Sequence, residues 1–373
     1  MSEAEKTTIS PFTSEIPAAW GNIGPSIKVL GLGGGGSNAV NRMIELGLHS
    51  VEFIAANTDA QALTSSLAPT RLQLGPQVTR GLGAGGDPTI GAAAALESCS
   101  QISRALAGAD MVFITAGMGG GTGTGAAPLA AELASETGAL VIAIVTMPFS
   151  FEMGQRSQNA IEGIEKLRPH THTLITVPND RLLQIAPKDL SLEVAFRLAD
   201  DVLRQGVQGM AELVTRTGLI NVDFANVRQL LSRGGGALMS IGLGEGSDKA
   251  SSAVYQALHH PLLEIGSLEQ ASGVMVHFTG GEDLSLNDIS VAVDELRASM
   301  NPGADLVLGA THEDTMLGRT QVILIITGLG GTPLKASLQY QDQQEQPGKQ
   351  NIASPAPDDL DLPTFLRRRI TIG

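Results

Sequence analysis

The sequence predicts an α/β protein whose first half is a parallel sheet with helices on both faces. Two observations carry this. Strand-length apolar runs, such as "IKVLGL" from 27, "DMVFITAG" from 110 and "ALVIAIVTM" from 139, alternate with helical segments, which is the order of βαβ units. Each run is apolar almost throughout rather than at every second residue, as expected for strands buried on both faces.

Taken in order, residues 1–24 read as a flexible, acidic arm with no apolar signal region behind a basic start. Residues 25–190 form the first α/β domain. "IKVLGLGGGGSNAVNRMIEL" gives strand, glycine loop and helix, and "DMVFITAGMGGGTGTGAAPLAAELA" repeats that pattern. "VEFIAANTDA" reads as strand and then a turn or helix cap. "HTLITVPND" is a further strand, preceded by a helix from about 153. In 191–216 the apolar residues Leu192, Phe196, Ala199, Leu203, Met210, Leu213 and Val214 recur at helical spacing. This is one long central helix joining two domains. Residues 217–330 mix helices with the strands "GALMSIGLG", "GVMVHFTGG", "ADLVLGAT" and "TQVILIITG", a smaller α/β domain. Residues 331–357 are Gln- and Pro-rich with almost no apolar side chains, the composition of a disordered linker with a flexible-coil reach of ~30 Å. Residues 358–373 bring back Leu360, Leu362, Phe365 and Leu366 ahead of Arg367–Arg369. They read as a peptide that folds on a partner.

Composition narrows the function. The net charge of −14 argues against nucleic acid as the main ligand, because phosphate backbones are bound by clustered Lys and Arg. With 3% aromatic residues there is little material for stacking bases along a strand. An anionic ligand must then be held by backbone N–H groups, helix N-termini and a metal ion, and 45 glycines suit that strategy. One cysteine, Cys99, excludes an internal disulfide framework and fits a reducing cytosol, where it reads as a small buried hydrophobe. No apolar run approaches the ~20 residues of a membrane span.

Three glycine loops carry the chemistry. "GLGGGGSNAV" holds Gly31-x-Gly33-x-x-Gly36 between a strand and a helix, a weak dinucleotide fingerprint by itself, with Asp59 lying a little over twenty residues further on. "GMGGGTGTG" (117–125) is a second loop of the same kind, where glycine admits a ligand close to the backbone and Thr122 and Thr124 add hydroxyls. "GLGAGGDPTIG" (81–91) is the third, with Asp87 as N-cap and Pro88 at the first helical position. One phosphate group does not need two such loops, whereas a triphosphate does. No G-x-x-x-x-G-K-[ST] is present, so this is no P-loop.

The motif "GMGGGTGTGAAP" closely matches the tubulin signature, and the chain over about 27–330 resembles the FtsZ branch of the tubulin/FtsZ GTPase family. "GLGGGGSNAVNRMI", "ANTDAQAL", "TRGLGAGGDPTIG", "PFSFE", "PNDRLL", "AFRLADDVLRQGVQG" and "GLINVDF" follow in the family's order. The resemblance implies GTP and GDP as ligands with Mg²⁺ bridging phosphate oxygens, the tubulin/FtsZ fold, and head-to-tail polymerisation into the division ring. It implies that Gly34, Gly35, Gly36, Ser37 and Asn38 line the α- and β-phosphates. Gly121, Thr122 and Gly123, with Gly119, Gly120, Thr124 and Gly125, would hold the phosphate chain, and Ala84, Gly85 and Gly86 would sense the γ-phosphate. Glu152 and Arg156 match sugar-side contacts, although by themselves they read as an i,i+4 surface ion pair. Phe196 would pack on the base, Asn179 would touch its edge, and Asp200 would accept from the guanine N1–H and N2–H₂ donors. Locally, Asp200–Asp201 reads as a solvated helix face.

The resemblance also implies that each site is completed by the next subunit, through the loop "GLINVDFANV". Asn221 and Asp223 match the usual pattern. Asn226 departs from it, since the family ordinarily has a second Asp there. Read locally, all three are short polar residues at a helix start. An amide accepts a hydrogen bond from water but takes no proton, so turnover is expected to be slow. The competing readings are a nucleotide-dependent polymer with essentially no hydrolysis and, more distantly, an NAD-linked oxidoreductase on the first glycine loop. The latter leaves the other two loops unused and offers no obvious catalytic His. Expected partners are further copies of the chain and membrane-tethering division proteins docking on Leu360–Arg369, with the protein cytoplasmic at the mid-cell ring.

Overall fold

The computed structural model describes residues 24–152, 154–183, 191–215, 218–232, 236–260 and 267–329. The linker, the C-terminal peptide and all of the N-terminal arm except Gly24 lie outside the described residues.

The first half runs β1 (Ile27–Leu32), α1 (Gly33–Glu45), β2 (Glu52–Asn57), α2 (Ala60–Thr64), β3 (Thr70–Gln73), α3 (Pro88–Glu97), α4 (Cys99–Leu106), β4 (Met111–Gly117), α5 (Thr122–Glu136), β5 (Leu140–Met147), α6 (Gly154–Leu167) and β6 (Thr173–Pro178). The short α7 (Asn179–Leu182) precedes α8 (Leu192–Thr215) and α9 (Phe224–Leu231). Then come β7 (Gly236–Glu245), α10 (Lys249–Leu258), α11 (Ser267–Gln270), β8 (Gly273–Gly280), α12 (Leu286–Ala298), β9 (Asp305–His312) and β10 (Arg319–Leu329).

The strands are ordered β3-β2-β1-β4-β5-β6-β7-β10-β8-β9. From β3 to β6 every pairing is parallel, as the continuous apolar runs require. All residues of β1 and β5 are buried. Two residue pairs, Leu174↔Gly236 and Ile175↔Ala237, join β6 to β7. Beyond that seam β10 returns antiparallel between β7 and β8, while β8 and β9 are parallel, so the second half is a mixed sheet.

The central helix α8 packs Ala199, Leu203, Val207, Met210 and Leu213 into one core with Ile144 and Val177 of the first half and Met239 and Ile323 of the second. Gly209 permits the close approach: a Cβ there would stand 2.5 Å from Ile323 Cδ1. The helical repeat places Leu192 and Phe196 on the same apolar stripe, but they are 57% and 40% exposed, because the first turns of α8 lie outside that core. A second core lies where α10 and α12 cover β8 and β10, around Ala253, Val276, Phe278, Ile289 and Leu324. Cys99, expected to be buried, is half-buried at the start of α4. No helix among the described residues is long and apolar enough to cross a membrane.

Candidate nucleotide site

The first and second glycine loops each open a helix whose N-terminus is left free. α1 starts at Gly33 and α5 at Thr122; neither has a side-chain cap, and neither has an acidic residue in its first turn. Helix starts of this kind present unpaired N–H groups and a partial positive charge. Their neighbours α2 and α3 are capped, Asp59 accepting from Ala62 N–H and Asp87 from Thr89 N–H. The Asp59 carboxylate, which a dinucleotide fold would aim at a ribose, is used in this cap.

The loops meet. A Cβ on Gly33 would stand 2.9 Å from Gly123 N, one on Gly35 3.2 Å from Gly117 N, and one on Gly121 2.8 Å from Ala84 Cβ. A side chain at Gly33 or Gly121 would force the loops apart, and one at Gly35 would be a tight fit. On the other side, a Cβ added at Gly34, Gly85, Gly86 or Gly120 would meet nothing within 4 Å, which leaves open space along all three loops. Buried side-chain oxygens without a hydrogen-bond partner border this region: Ser37 Oγ and Asn179 Oδ1, each on a residue 4% exposed. Two uncapped helix starts, an open glycine-lined face and two orphaned polar atoms fit an anionic, polyphosphate-like ligand. Thr124 Oγ1 accepts from Gly119 N–H at 2.8 Å, so it braces the loop. Asn38 is exposed on α1, and Gly125 packs against Pro88 and Gly91 of α3, where a Cβ would meet Pro88 O at 2.1 Å.

At the edge of the loops, Phe196 makes an edge-on contact with Phe149, ring centroids 5.4 Å apart, and Phe149 stacks on Phe151 at 5.0 Å. Glu152 and Arg156 form the i,i+4 ion pair that the bare sequence suggested, and Glu152 Oε1 also accepts from Phe149 N–H at 2.9 Å. The Arg156 backbone packs on Gly119, so the pair sits beside the second loop. Asn179 opens α7, whose Asp180 accepts from Ser150 N–H at 2.9 Å. Asp200 is no solvated face residue: burial pushes its carboxyl up to about 7, Arg42 of α1 opposes the shift and Asp201 adds to it. A carboxylate in this setting, without a bound partner, is one that a pair of N–H donors would satisfy.

Asn221, Asp223 and Asn226 are not part of this cluster. They follow the C-terminal end of α8, whose 24 residues span ~36 Å at helical rise. Asp223 caps α9, accepting from Ala225 N–H at 3.2 Å, and Asn221 Oδ1 accepts from Gly218 N–H at 2.7 Å. Asn226 is exposed in the first turn of α9. Asn221 and Asn226 both border a hollow of about 320 Å³ between α9 and β9. The capping role is therefore present for Asp223, and the side-chain partners of Asn221 and Asp223 are local backbone N–H groups rather than the glycine loops. Among the described residues, Glu282, His312 and Asp314 form a separate exposed group with donor atoms within 4.8 Å of one another, at the ends of β8 and β9.

Two family models match the chain. Residues 26–187 match the GTPase domain of the Tubulin/FtsZ family, and residues 235–330 match the C-terminal domain of the FtsZ family. Among solved structures, the empty FtsZ dimer of M. jannaschii is 42% identical, covers 86% of this chain and 93% of its own, and superposes with a TM-score of 0.81. The chain belongs to the FtsZ family. FtsZ membership makes it a GTP-binding, tubulin-like cytoskeletal protein of cell division carrying the family's GTPase domain. A point mutant of the M. jannaschii FtsZ matches at 43% identity over 82% of this chain and 91% of its own, with a TM-score of 0.79. CetZ1 from Haloferax volcanii, a GDP-bound monomer, shares the fold at 19% identity over 86% of this chain and 100% of its own, with a TM-score of 0.73.

Two further residues adjoin the candidate site, Arg42 through its charge on Asp200 and Thr58 through its contact with Thr122. Arg42 lies one turn beyond Asn38 on α1, a spacing that could have marked it. Thr58 stands inside "ANTDAQAL", a threonine that no local pattern distinguishes.

Proposed function

We propose that this FtsZ-family protein binds GTP across its three glycine loops, polymerises head to tail, and hydrolyses GTP slowly at the junction between subunits. The observation that carries the reading is the separation of two half-sites. The phosphate cradle and the base-side residues Phe196, Asn179 and Asp200 gather at one end of α8. Asn221, Asp223 and Asn226 follow its other end, ~22 Å of helix rise beyond Asp200. Stacking identical chains along that direction brings the second surface of one onto the cradle of the next.

In this assembly the helix starts of α1 and α5 hold the phosphates, with Gly34–Asn38, Ala84–Gly86 and Gly119–Gly125 around them. Glu152 and Arg156 lie on the sugar side. Mg²⁺ would supply charge neutralisation for the phosphates, which a chain of net charge −14 does not offer through clustered cations. Asp223 orients and polarises the attacking water, helped by Asn221 and Asn226. An amide at 226 accepts a hydrogen bond and takes no proton, so turnover is slow. The same amide supports the second reading, a GTP-dependent polymer with essentially no hydrolysis. The protein acts in the cytoplasm at the mid-cell ring, tethered through Leu360–Arg369.

Light scattering with GTP, GDP and NAD in the presence of Mg²⁺ tests the reading. GTP-dependent polymers are expected, and no response to GTP overturns it. Phosphate release measured on the same samples separates slow hydrolysis from none.

A further inference from the structure

Thr58 follows β2 and is completely buried. Its hydroxyl oxygen lies 2.6 Å from that of Thr122, the first residue of α5 in the second glycine loop. Among the described residues, Thr122 is the one partner of that hydroxyl. The Thr58 carbonyl turns to the other side, where it accepts from Gly83 N–H at 3.3 Å and lies 3.2 Å from Thr79 Oγ1, whose single proton is shared with the Gly75 carbonyl at 2.9 Å. The Gly83 bond ties Thr58 to the third glycine loop. One buried residue therefore grips two of the three loops at once.

Two hydroxyls that share one hydrogen bond must choose which of them donates. Thr58 is sealed from solvent, so its proton is hydrogen-bonded only if Thr58 donates to Thr122. That leaves the Thr122 proton to point elsewhere, and Thr122 is half-buried at the uncapped start of α5, beside the open face of the loops. Turned the opposite way, Thr122 would present lone pairs to an anionic ligand and repel it. Donation from Thr58 also polarises the Thr122 hydroxyl and strengthens the bond it makes in turn.

We propose that Thr58 is a positioning residue for the terminal phosphates: it fixes the Thr122 hydroxyl as a donor toward the ligand and ties that donor to the 81–86 loop. Because the grip includes that loop, the effect is larger for a nucleoside triphosphate than for the diphosphate. The inference rests on the GTP reading above and adds to it a residue that acts through Thr122 rather than by touching the nucleotide.

The test is equilibrium binding of GTP and GDP to the full chain and to its Thr58→Val, Thr58→Ser, Thr122→Val and Thr58→Val/Thr122→Val variants, with thermal unfolding measured alongside. Thr58→Val keeps the shape and removes the hydroxyl. It is expected to weaken GTP binding roughly 3- to 10-fold, the worth of one hydrogen bond, and GDP binding by less. Thr58→Ser is expected to restore GTP affinity. The double variant is expected to lose no more than Thr122→Val alone, since Thr58 works only through Thr122. Unchanged GTP binding in Thr58→Val, an equal loss for both nucleotides, no recovery in Thr58→Ser or additive losses in the double variant overturns the inference. If Thr58→Val does not fold, Thr58→Ala takes its place in the same cycle. Absence of GTP binding by the unaltered chain overturns the GTP reading itself, and is distinguishable because it precedes any comparison of variants.

Discussion

Replacing Asn226 by Asp changes one atom of an exposed side chain. Asn226 is the third residue of α9, and its N–H donates to the Asp223 carbonyl at 3.0 Å. The side chain packs against no core, so the substitution opens no cavity and forces no overlap. A carboxylate in the first turn gains ~0.3–1 kcal/mol from the helix dipole. Repulsion from Asp223, three residues earlier, offsets ~0.2–0.5 kcal/mol of that. The fold should therefore be as stable as before or slightly more so, and a change in rate then reports on chemistry. A positioned base contributes ~10²–10⁴ in rate, and Asp223 already supplies part of it. Asn226→Asp is accordingly expected to raise turnover on the order of 10- to 100-fold, at or below the low end of that range. The assay is steady-state phosphate release per polymerised subunit, with GTP affinity and polymer mass measured on the same samples. Equal rates per polymerised subunit would refute the reasoning, and so would a gain explained entirely by more polymer.

Guanine nucleotide affinity should depend on pH through Asp200. Its carboxyl is raised to about 7, first by burial, so the carboxylate that accepts two donors is present above that pH and lost below it. Affinity measured from pH 8 to pH 6 should fall toward the acid side, and the dependence should vanish in Asp200→Asn along with most of the affinity. Two glycine substitutions should separate binding from folding. Gly34→Ala, where a Cβ meets nothing, should leave stability unchanged or raised by ~0.5–1 kcal/mol while GTP affinity falls at least ~10-fold. Gly36→Ala, whose Cβ would stand 2.3 Å from the Thr115 carbonyl, should cost ~1–3 kcal/mol in unfolding experiments. Truncation after Pro357 should leave GTP-dependent assembly intact and abolish capture of tethering partners, which co-sedimentation with and without the partner would show.

Much of the architecture was legible because it is written locally. Continuous apolar runs marked β1, β4 and β5. Asp87 followed by Pro88 marked the start of α3, and the glycine loops marked the helix starts. These signals depend on neighbours within a few residues, where backbone propensity and burial period act directly. The apolar stripe of α8 was legible too, except at Leu192 and Phe196, whose exposure depends on where the surrounding core ends. The antiparallel return of β10 between β7 and β8 left no local mark either, since strand direction depends on which edge the chain meets.

By itself, then, the sequence determined the parallel half of the sheet, the three glycine loops and, through the order of its motifs, the family. It also named the amide at 226 where a carboxylate was expected. Tertiary structure alone decided that Asp59 caps α2, that Arg42 opposes the upward shift of the Asp200 carboxyl, that Thr58 meets Thr122 across 64 residues of chain, and that Asn221 and Asn226 border a hollow between α9 and β9. The reason is physical: a hydrogen bond or a buried charge depends on distance and solvent exposure, and for residues far apart in the chain packing sets both.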